Sequence, residues 1–292
     1  MNNCLAFIGG SGLYDLSFLD NIKYHNLTSS FGSPSDKIIE GSINGNIIFF
    51  LPRHGRGHKL SPSSINYRAN IDCLKKCGVT DIVSLSAVGS LKEDLPPGTF
   101  VLVDQFIDRT ISRKKSFFDK SIVAHVSMAN PTAKELMDYS KIIFKKLKFH
   151  YSYGGTYLAM EGPQFSTYAE SNLYKQWGCD VIGMTNMPEA KLAKEAEIRY
   201  CSISMVTDYD CWHPDHDNVD INILLKTLND NNEKSKLFIS EFSNFYYEGI
   251  DFSKNDTSFI LDSSIVTSIN NWDKEDDQNL YNILKRYKDK NL

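Results

Sequence analysis

Two carboxylates one residue apart, Asp208 and Asp210, close a run of apolar and β-branched residues and stand between Met205 and Trp212. In an open α/β sheet, ligands bind beyond the carboxyl ends of the strands. Aspartates at such an end, with Tyr209 and Trp212 beside them, suit a flat ligand that hydrogen-bonds along its edge, such as a purine base. The same pair also suits a plainer task, one Asp capping the next helix and the other solvated. A second group of residues is of the kind that holds an anion. Gly9, Gly10, Ser11 and Gly12 follow an apolar run at 4–8. Glycines directly after a buried strand bring backbone N–H groups close to an oxyanion. The spacing is neither G-x-G-x-x-G nor a P-loop with its lysine; a tight turn is the alternative. Arg53, His54, Arg56 and His58 fall within six residues, with Gly55 and Gly57 between them. Such a flexible cationic loop suits an oxyanion, because arginine offers a planar fork of donors. A surface loop with scattered charge is the other reading. Ser86, Ala87, Gly89 and Ser90 repeat the pattern of small residues at the end of an apolar run.

Strands that end on one side of a sheet must position these residues. Apolar runs at 4–8, 79–86, 100–107, 151–160, 180–184 and 200–207 read as buried strands. The segments 37–40 and 47–51 flank Asn44-Gly45, a pair suited to a primed hairpin turn. Residues 121–126 read as an edge strand. Ser61 as N-cap and Pro62 at the first helical position start a helix that Gly78 stops, with Ile65, Ala69, Cys73 and Cys77 on one face. Capping boxes, Thr132 with Glu135 and Thr167 with Glu170, open two more helices. Further helices are expected at 188–196, 221–247 and 276–287. The mixed order of strands and helices predicts one α/β domain over 1–249, with 250–292 a divergent extension packed on it.

The chain has 292 residues, 41% of them hydrophobic, enough for a full core. A formal net charge of -4 leaves no electrostatic footprint for nucleic acid. No apolar run is long enough to cross a bilayer, and the N-terminus lacks the basic and apolar regions of a signal peptide. A soluble cytoplasmic protein without a membrane partner is expected. The six cysteines make no C-x-x-C pair and read as reduced, buried thiols. The seven histidines form no H-E-x-x-H, so no metal is expected.

Taken in order, the motifs form a pattern: Ile8-Gly-Gly-Ser-Gly-Leu13, Arg53-His-Gly-Arg56 with His58, Ala87-Val-Gly-Ser-Leu91, Asp104-Gln-Phe-Ile-Asp-Arg-Thr110, Glu161-Gly-Pro-Gln-Phe-Ser166, Gly183-Met-Thr185 with Pro188-Glu189, and Thr207-Asp-Tyr-Asp-Cys-Trp212. This series, spread over residues 8–228, resembles the trimeric purine nucleoside phosphorylase family, and within it the branch that acts on S-methyl-5′-thioadenosine. The resemblance implies a single α/β domain with a twisted, mixed and partly barrel-like β-sheet flanked by helices. It implies phosphorolysis, in which nucleoside and phosphate give free base and a ribose 1-phosphate. Inorganic phosphate is then a co-substrate, and no cofactor is needed. Carried over by position, phosphate meets Ser11, Arg53, His54, Ser86, the Ala87 backbone and Thr185. The family often has Thr where Ser11 and Ser86 stand here, and the hydroxyl survives. Met184 lies under the ribose and Phe165 against the base, while Asp208 and Asp210 address the base edge. Asp208, Asp210 and His54 are the candidate catalytic groups.

The resemblance also bears on substrate choice. Relatives that take 6-oxopurines have Asn at the position of Asp208 and Glu at that of Ser166, so this chain is expected to prefer a 6-aminopurine. Relatives that bind a free 5′-hydroxyl place a His near Ile221. Here Ile221, with Val219 and Leu224, offers an apolar pocket for S-methyl. Burying one methyl is worth only about 0.8 kcal/mol, so rejection of an unsatisfied hydroxyl must add to it. His125 matches a family residue that reaches a neighbouring subunit's 5′ pocket in a homotrimer, and an ordinary surface or interface His is its other reading. Two alternatives stay open: a phosphorylase for 6-oxopurine nucleosides or methylthioinosine, and a non-catalytic purine-binding protein.

Overall fold

The computed structural model describes residues 3–10, 13, 15–213 and 221–291, and side chains in the last stretch from 225 onward. The strands are β1 (Leu5–Gly9), β2 (Asp20–His25), β3 (Ile38–Ile43), β4 (Asn46–Pro52), β5 (Asp81–Ser90), β6 (Phe100–Val103), β7 (Gln105–Asp108), β8 (Tyr151–Tyr153), β9 (Thr156–Ala159), β10 (Val181–Gly183) and β11 (Arg199–Tyr209). The helices are α1 (Tyr67–Lys76), α2 (Lys134–Leu147), α3 (Tyr168–Gln176), α4 (Asn186–Glu195), α5 (Ile221–Gly249), α6 (Leu261–Ser264), α7 (Lys274–Asn279) and α8 (Tyr281–Asn291).

All eleven strands among the described residues join one mixed sheet, and β5 is its branch point. One arm runs β2-β3-β4-β1-β5-β10-β9-β7, and the other leaves β5 through β11 to β6 and β8. The chain passes straight from β6 to β7 across Asp104, which links the far end of the first arm to the middle of the second. Strands β5, β10, β9, β7, β6 and β11 therefore close on themselves as a partial barrel, as expected for the fold. The apolar run at 100–107, expected as one strand, is split by this corner. The run at 151–160 is split likewise at Gly154 and Gly155, whose φ values of 87° and 155° suit glycine. The Asp104 carboxylate accepts the Gly155 N–H at 2.9 Å and pins the two corners together.

Alternation along β1 builds both faces of the core. Leu5 and Phe7 join one buried cluster with Phe144 of α2 and Phe238 and Phe242 of α5. Ala6 and Ile8 join the other, with Ile71 and Leu74 of α1 and Ala190 and Ala193 of α4. The tail adds Leu261, Leu280, Ile283 and Leu284 to this second cluster. Arg286 of α8 clamps it down, reaching both oxygens of the Glu197 carboxylate at 2.5 and 2.6 Å.

Three local expectations fail. Ser61-Pro62 opens only a 3-10 turn, Pro62–Ser64, and α1 starts later because Asn66 caps it by accepting the Ala69 N–H at 3.1 Å. The proposed box at Thr132 and Glu135 does not form: Ala133 is the N-cap, Glu135 accepts from Asn255, and the Thr132 hydroxyl faces Met137. The expected edge strand at 121–126 is a loop with one isolated bridge, Ala124 to Ile265 of the tail. The box at Thr167 and Glu170 does form, with both reciprocal bonds. The expected helix at 276–287 is two helices, α7 and α8.

Candidate active site

A gap in the pairing of β5 founds the site. On one side β1 pairs with β5 as far as Gly9 against Leu85, and β10 takes over at Gly89 and Ser90. Between them, no strand among the described residues pairs with Ser86, Ala87 or Val88 on this side. Gly10 N–H donates to the Leu85 carbonyl at 3.1 Å, which shows that Leu85 points its backbone groups into this edge. Two residues on, Ala87 points its N–H the same way, by the alternation of a strand. A backbone donor thus faces an opening instead of a ladder partner. The opening is a cavity of about 550 Å³ whose lining includes Gly10, Arg53, His54, Ser86, Ala87, Met184, Thr185, Phe165, Asp208 and Asp210. Of the expected site residues, these lie together on one cavity.

Arg53 leaves the end of β4 fully buried. Its Nε and Nη2 reach the two Glu189 oxygens at 2.8 and 3.1 Å, Nη2 also donates to Ser84 Oγ at 2.5 Å, and Nη1 donates to the Leu85 carbonyl at 3.1 Å. The guanidinium fork is thus occupied by α4, and Nη1 is the part that lies against the Gly10 loop. Burial works against the charge, but the Glu189 carboxylate outweighs it and holds the guanidinium above its usual range. This corrects the picture of 53–58 as a flexible cationic loop with a free arginine fork. The other arginine, Arg56, is exposed and lies 4.6 Å over the Tyr24 ring.

His54 is also buried. Its Nδ1 lies 2.8 Å from the Leu60 carbonyl, which can only accept, so Nδ1 carries the proton and Nε2 is left as an acceptor. Burial, helped by the nearby Arg53 and His58 charges, lowers the imidazole pKa to about 4, so the ring is neutral at pH 7. It stacks on His58 with centroids 4.1 Å apart. Beneath the Ser86 and Thr185 end of the cavity lies a buried polar network. Glu189 accepts from Ser84 Oγ at 2.6 Å and Tyr200 Oη at 2.8 Å, and Asn186 Nδ2 donates to Tyr200 Oη at 2.6 Å. Ser86 Oγ donates to Asn186 Oδ1 at 3.0 Å. Tyr157 Oη accepts the Thr185 N–H at 3.3 Å. A Cβ on Gly183 would stand 2.1 Å from that phenol oxygen, so only glycine leaves room for it.

At the other end of the cavity, Asp208 and Asp210 flank Gly89, whose missing Cβ would meet both at 3.4 Å. The shift in register of β11 between Val206 and Asp208 turns the two carboxylates relative to the rest of the strand. Thr207 Oγ1 donates to Asp208 Oδ2 at 2.6 Å. Burial raises the Asp210 carboxyl above its usual range, against the hydroxyls of Ser171 and Ser166, which lower it. Ser166 is thus beside Asp210, although it does not line the cavity. Phe165 is 81% exposed at the mouth.

His125 is exposed and away from the cavity, its backbone N–H bound to the Ser264 carbonyl at 2.8 Å. The expectations for Ser11 and Val219 lie outside the described residues, as do the side chains of Ile221 and Leu224. Leu228 of α5 is an apolar wall that the sequence reading did not single out. It also missed Arg113. Arg113 is buried and donates to the carbonyls of Met184, Met187 at 2.6 Å and Glu161 at 2.7 Å. One guanidinium thereby ties its own loop to two segments around the cavity, at Glu161 and at 184–187. Glu189 had a signal, since Pro188-Glu189 stood among the motifs; Arg113 had none.

The model of the phosphorylase superfamily matches residues 5–244. The chain belongs to this superfamily. It is 60% identical over 235 residues to the S-methyl-5′-thioadenosine phosphorylase of Rhodospirillum rubrum, covering 80% of each chain. Among solved structures, it is similar to a methylthioadenosine phosphorylase sourced from an Antarctic soil metagenomic library, with TM-score 0.89 and 40% identity over 97% of this chain and 100% of that one. It is also similar to the methylthioadenosine phosphorylase of Schistosoma mansoni in complex with adenine, with TM-score 0.85 and 31% identity over 91% and 99%. No helix among the described residues is long and apolar enough to cross a membrane.

Proposed function

We propose that the chain catalyses phosphorolysis of S-methyl-5′-thioadenosine, giving adenine and S-methyl-5-thioribose 1-phosphate. One observation supports this most: a single cavity carries Arg53, His54, Ser86, Ala87 and Thr185 together with the carboxylates Asp208 and Asp210. An anion site beside a hydrogen-bonding slot is what a phosphate-dependent nucleoside cleavage needs. The relatives named above add the substrate.

Breaking the glycosidic bond builds positive charge on the sugar and negative charge on the purine. Phosphate held by Nη1 of Arg53, the Ala87 N–H, Thr185, Ser86, His54 and Ser11 attacks C1′, and its charge stabilises the cationic sugar. Met184 lies under the sugar and Phe165 covers the base. The leaving purine takes a proton at N7 from the Asp208–Asp210 pair. Asp210, raised by burial, keeps a proton in the pair to higher pH than a solvated carboxyl would. Asp208, already accepting from Thr207, receives the 6-amino group. Such general acid help is typically worth about 10²–10⁴-fold. Asp208 and Ser166 disfavour a 6-oxopurine, and the apolar residues Ile221, Val219, Leu224 and Leu228 of the 5′ end favour S-methyl.

The products place the reaction in purine and methionine salvage, carried out in the cytoplasm. The active form is a homotrimer, with exposed His125 turned to a neighbour's 5′ pocket; sedimentation at micromolar concentration tests the assembly. The decisive experiment mixes protein and methylthioadenosine with and without phosphate and measures adenine. Release only with phosphate is expected. Equal release in both would mean hydrolysis, and none in either a binding protein. Inosine run beside it tests the 6-oxopurine alternative.

A further inference from the structure

The buried network beneath the anion site has a direction. The Glu189 carboxylate receives four donors: Nε and Nη2 of Arg53, Ser84 Oγ and Tyr200 Oη, all within 3.1 Å. It has no proton to return, so Ser84 and Tyr200 must each spend their single hydroxyl proton on it. Both oxygens then face Asn186 as acceptors, Tyr200 Oη at 2.6 Å and Ser84 Oγ at 3.3 Å, with Ser202 Oγ at 3.1 Å. An amide oxygen there would face two oxygens, of Ser84 and Tyr200, whose protons are already given to Glu189, so the Asn186 side chain must turn its NH₂ toward them, and Ser202 Oγ accepts from it as well. Its Oδ1 is thereby fixed toward Ser86, 3.0 Å away, and claims the Ser86 proton. The arginine charge thus sets, through Glu189, Tyr200 and Asn186, which way the Ser86 hydroxyl points. Ser86 lines the cavity with lone pairs only. His54 does the same: Nδ1–H is committed to the Leu60 carbonyl, and Nε2 has no proton.

We infer that Tyr200 and Asn186 are positioning residues that present Ser86 as an acceptor, and that the anion site, through Ser86 and His54, takes phosphate in a proton-bearing form with two P–OH groups, the dihydrogen monoanion. This rests on the phosphorolysis reading. Two acceptors on one wall match two P–OH groups, whereas the monohydrogen dianion brings one and leaves a lone pair facing a charged oxygen. Such a mismatch leaves a buried polar group unpaired.

The charged and titratable groups around the site come from several elements: Arg53 of β4, His54 and His58 of the following loop, Tyr157 of β9, Glu189 of α4, and Tyr200, Asp208 and Asp210 of β11. Burial raises both Tyr157 and Tyr200. His58, stacked on His54, is the group whose own titration must be separated, so a His58→Gln variant enters the test.

The experiment measures KM for phosphate and kcat from pH 6 to 9 at saturating nucleoside. Above the second ionisation of phosphate, KM is expected to rise by about tenfold per pH unit, in His58→Gln as in the parent, because the bound species becomes scarce. In Asn186→Leu the Ser86 proton is released to turn toward the cavity, and the rise is expected to flatten. Direct calorimetric titration with phosphate at pH 8.5 gives a second readout: binding should take up about one proton, seen by comparing buffers of different ionisation heat. A phosphate KM that is flat or falls with pH in the parent, or binding without proton uptake, overturns the inference. Absence of phosphate-dependent cleavage would instead overturn the function proposed above. If Asn186→Leu does not fold, the parent profile and the proton count still decide the matter.

Discussion

Glu189 grips Arg53 through two side-by-side contacts, Nε to Oε2 at 2.8 Å and Nη2 to Oε1 at 3.1 Å, both partners being buried. Removing one side of such a pair strands the other charge. Glu189→Gln, which keeps the volume, is expected to lower stability by about 3–5 kcal/mol. Urea unfolding reads that loss. In whatever protein folds, phosphate KM should rise at least about tenfold while nucleoside KM changes less. Equal rises in both constants would mean that Glu189 supports the whole cavity rather than Arg53.

Asp208→Asn exchanges a pure acceptor for a group that also donates. Activity on 6-aminopurine nucleosides should fall relative to 6-oxopurines by about 10–100-fold, the cost of an unmatched buried hydrogen bond. Adding Ser166→Glu, next to Asp210, should push the ratio further in the same direction. Parallel assays on methylthioadenosine and inosine provide the ratio, and an unchanged value would remove Asp208 from the base edge.

Arg113→Lys replaces a planar fork by a point charge that cannot satisfy the carbonyls of Met184, Met187 and Glu161 together. Each buried carbonyl left alone costs about 1–3 kcal/mol, so a thermal melt should show a marked loss. Nucleoside binding should weaken along with it, since Met184 lines the cavity. A melt like that of the parent would show that water replaces the arginine without penalty.

Glu195, at the end of α4, accepts from the Phe117 N–H at 2.7 Å and from Ser116 Oγ at 2.8 Å, yet burial raises its pKa to about 7. The folded chain therefore holds this proton more tightly than the unfolded chain does. The stability from that proton is fully present below the unfolded value of 4.5 and is lost as pH rises through 7. Across pH 4.5 to 7.5 the parent should lose about 3 kcal/mol relative to Glu195→Gln. Denaturant midpoints of the two proteins at several pH values test this, and parallel curves would contradict it.

The strand ends were legible because glycines, hydroxyl residues and aspartates interrupt apolar runs there, and those interruptions line the cavity. Arg53, His54, Ser86 and Asp208 could therefore be named before any fold existed. What Arg53 touches could not be: Glu189 lies 136 residues away, and only the folding of α4 onto β4 brings them together. The corner at Asp104 was hidden for a different reason. Asp104-Gln105 is a polar break between Val103 and Phe106, but two polar residues inside an otherwise apolar run mark a corner no more plainly than they mark an exposed face of one strand. At Ser61 and Thr132, a plausible capping residue lost to context. Asn66 found a free N–H three residues on, and the Glu135 carboxylate was drawn to Asn255 of the tail.

The gap between β1 and β10 has one more consequence. The Ala87 amide faces the opening because a neighbouring strand stops short, so its aim is inherited from the sheet and not from any side chain. A substitution at residue 87 can crowd this donor, and only proline, which has no backbone N–H, deletes it. Residues of the lining such as 165 and 228 can change without disturbing this donor, whose direction stays written into the strand order itself.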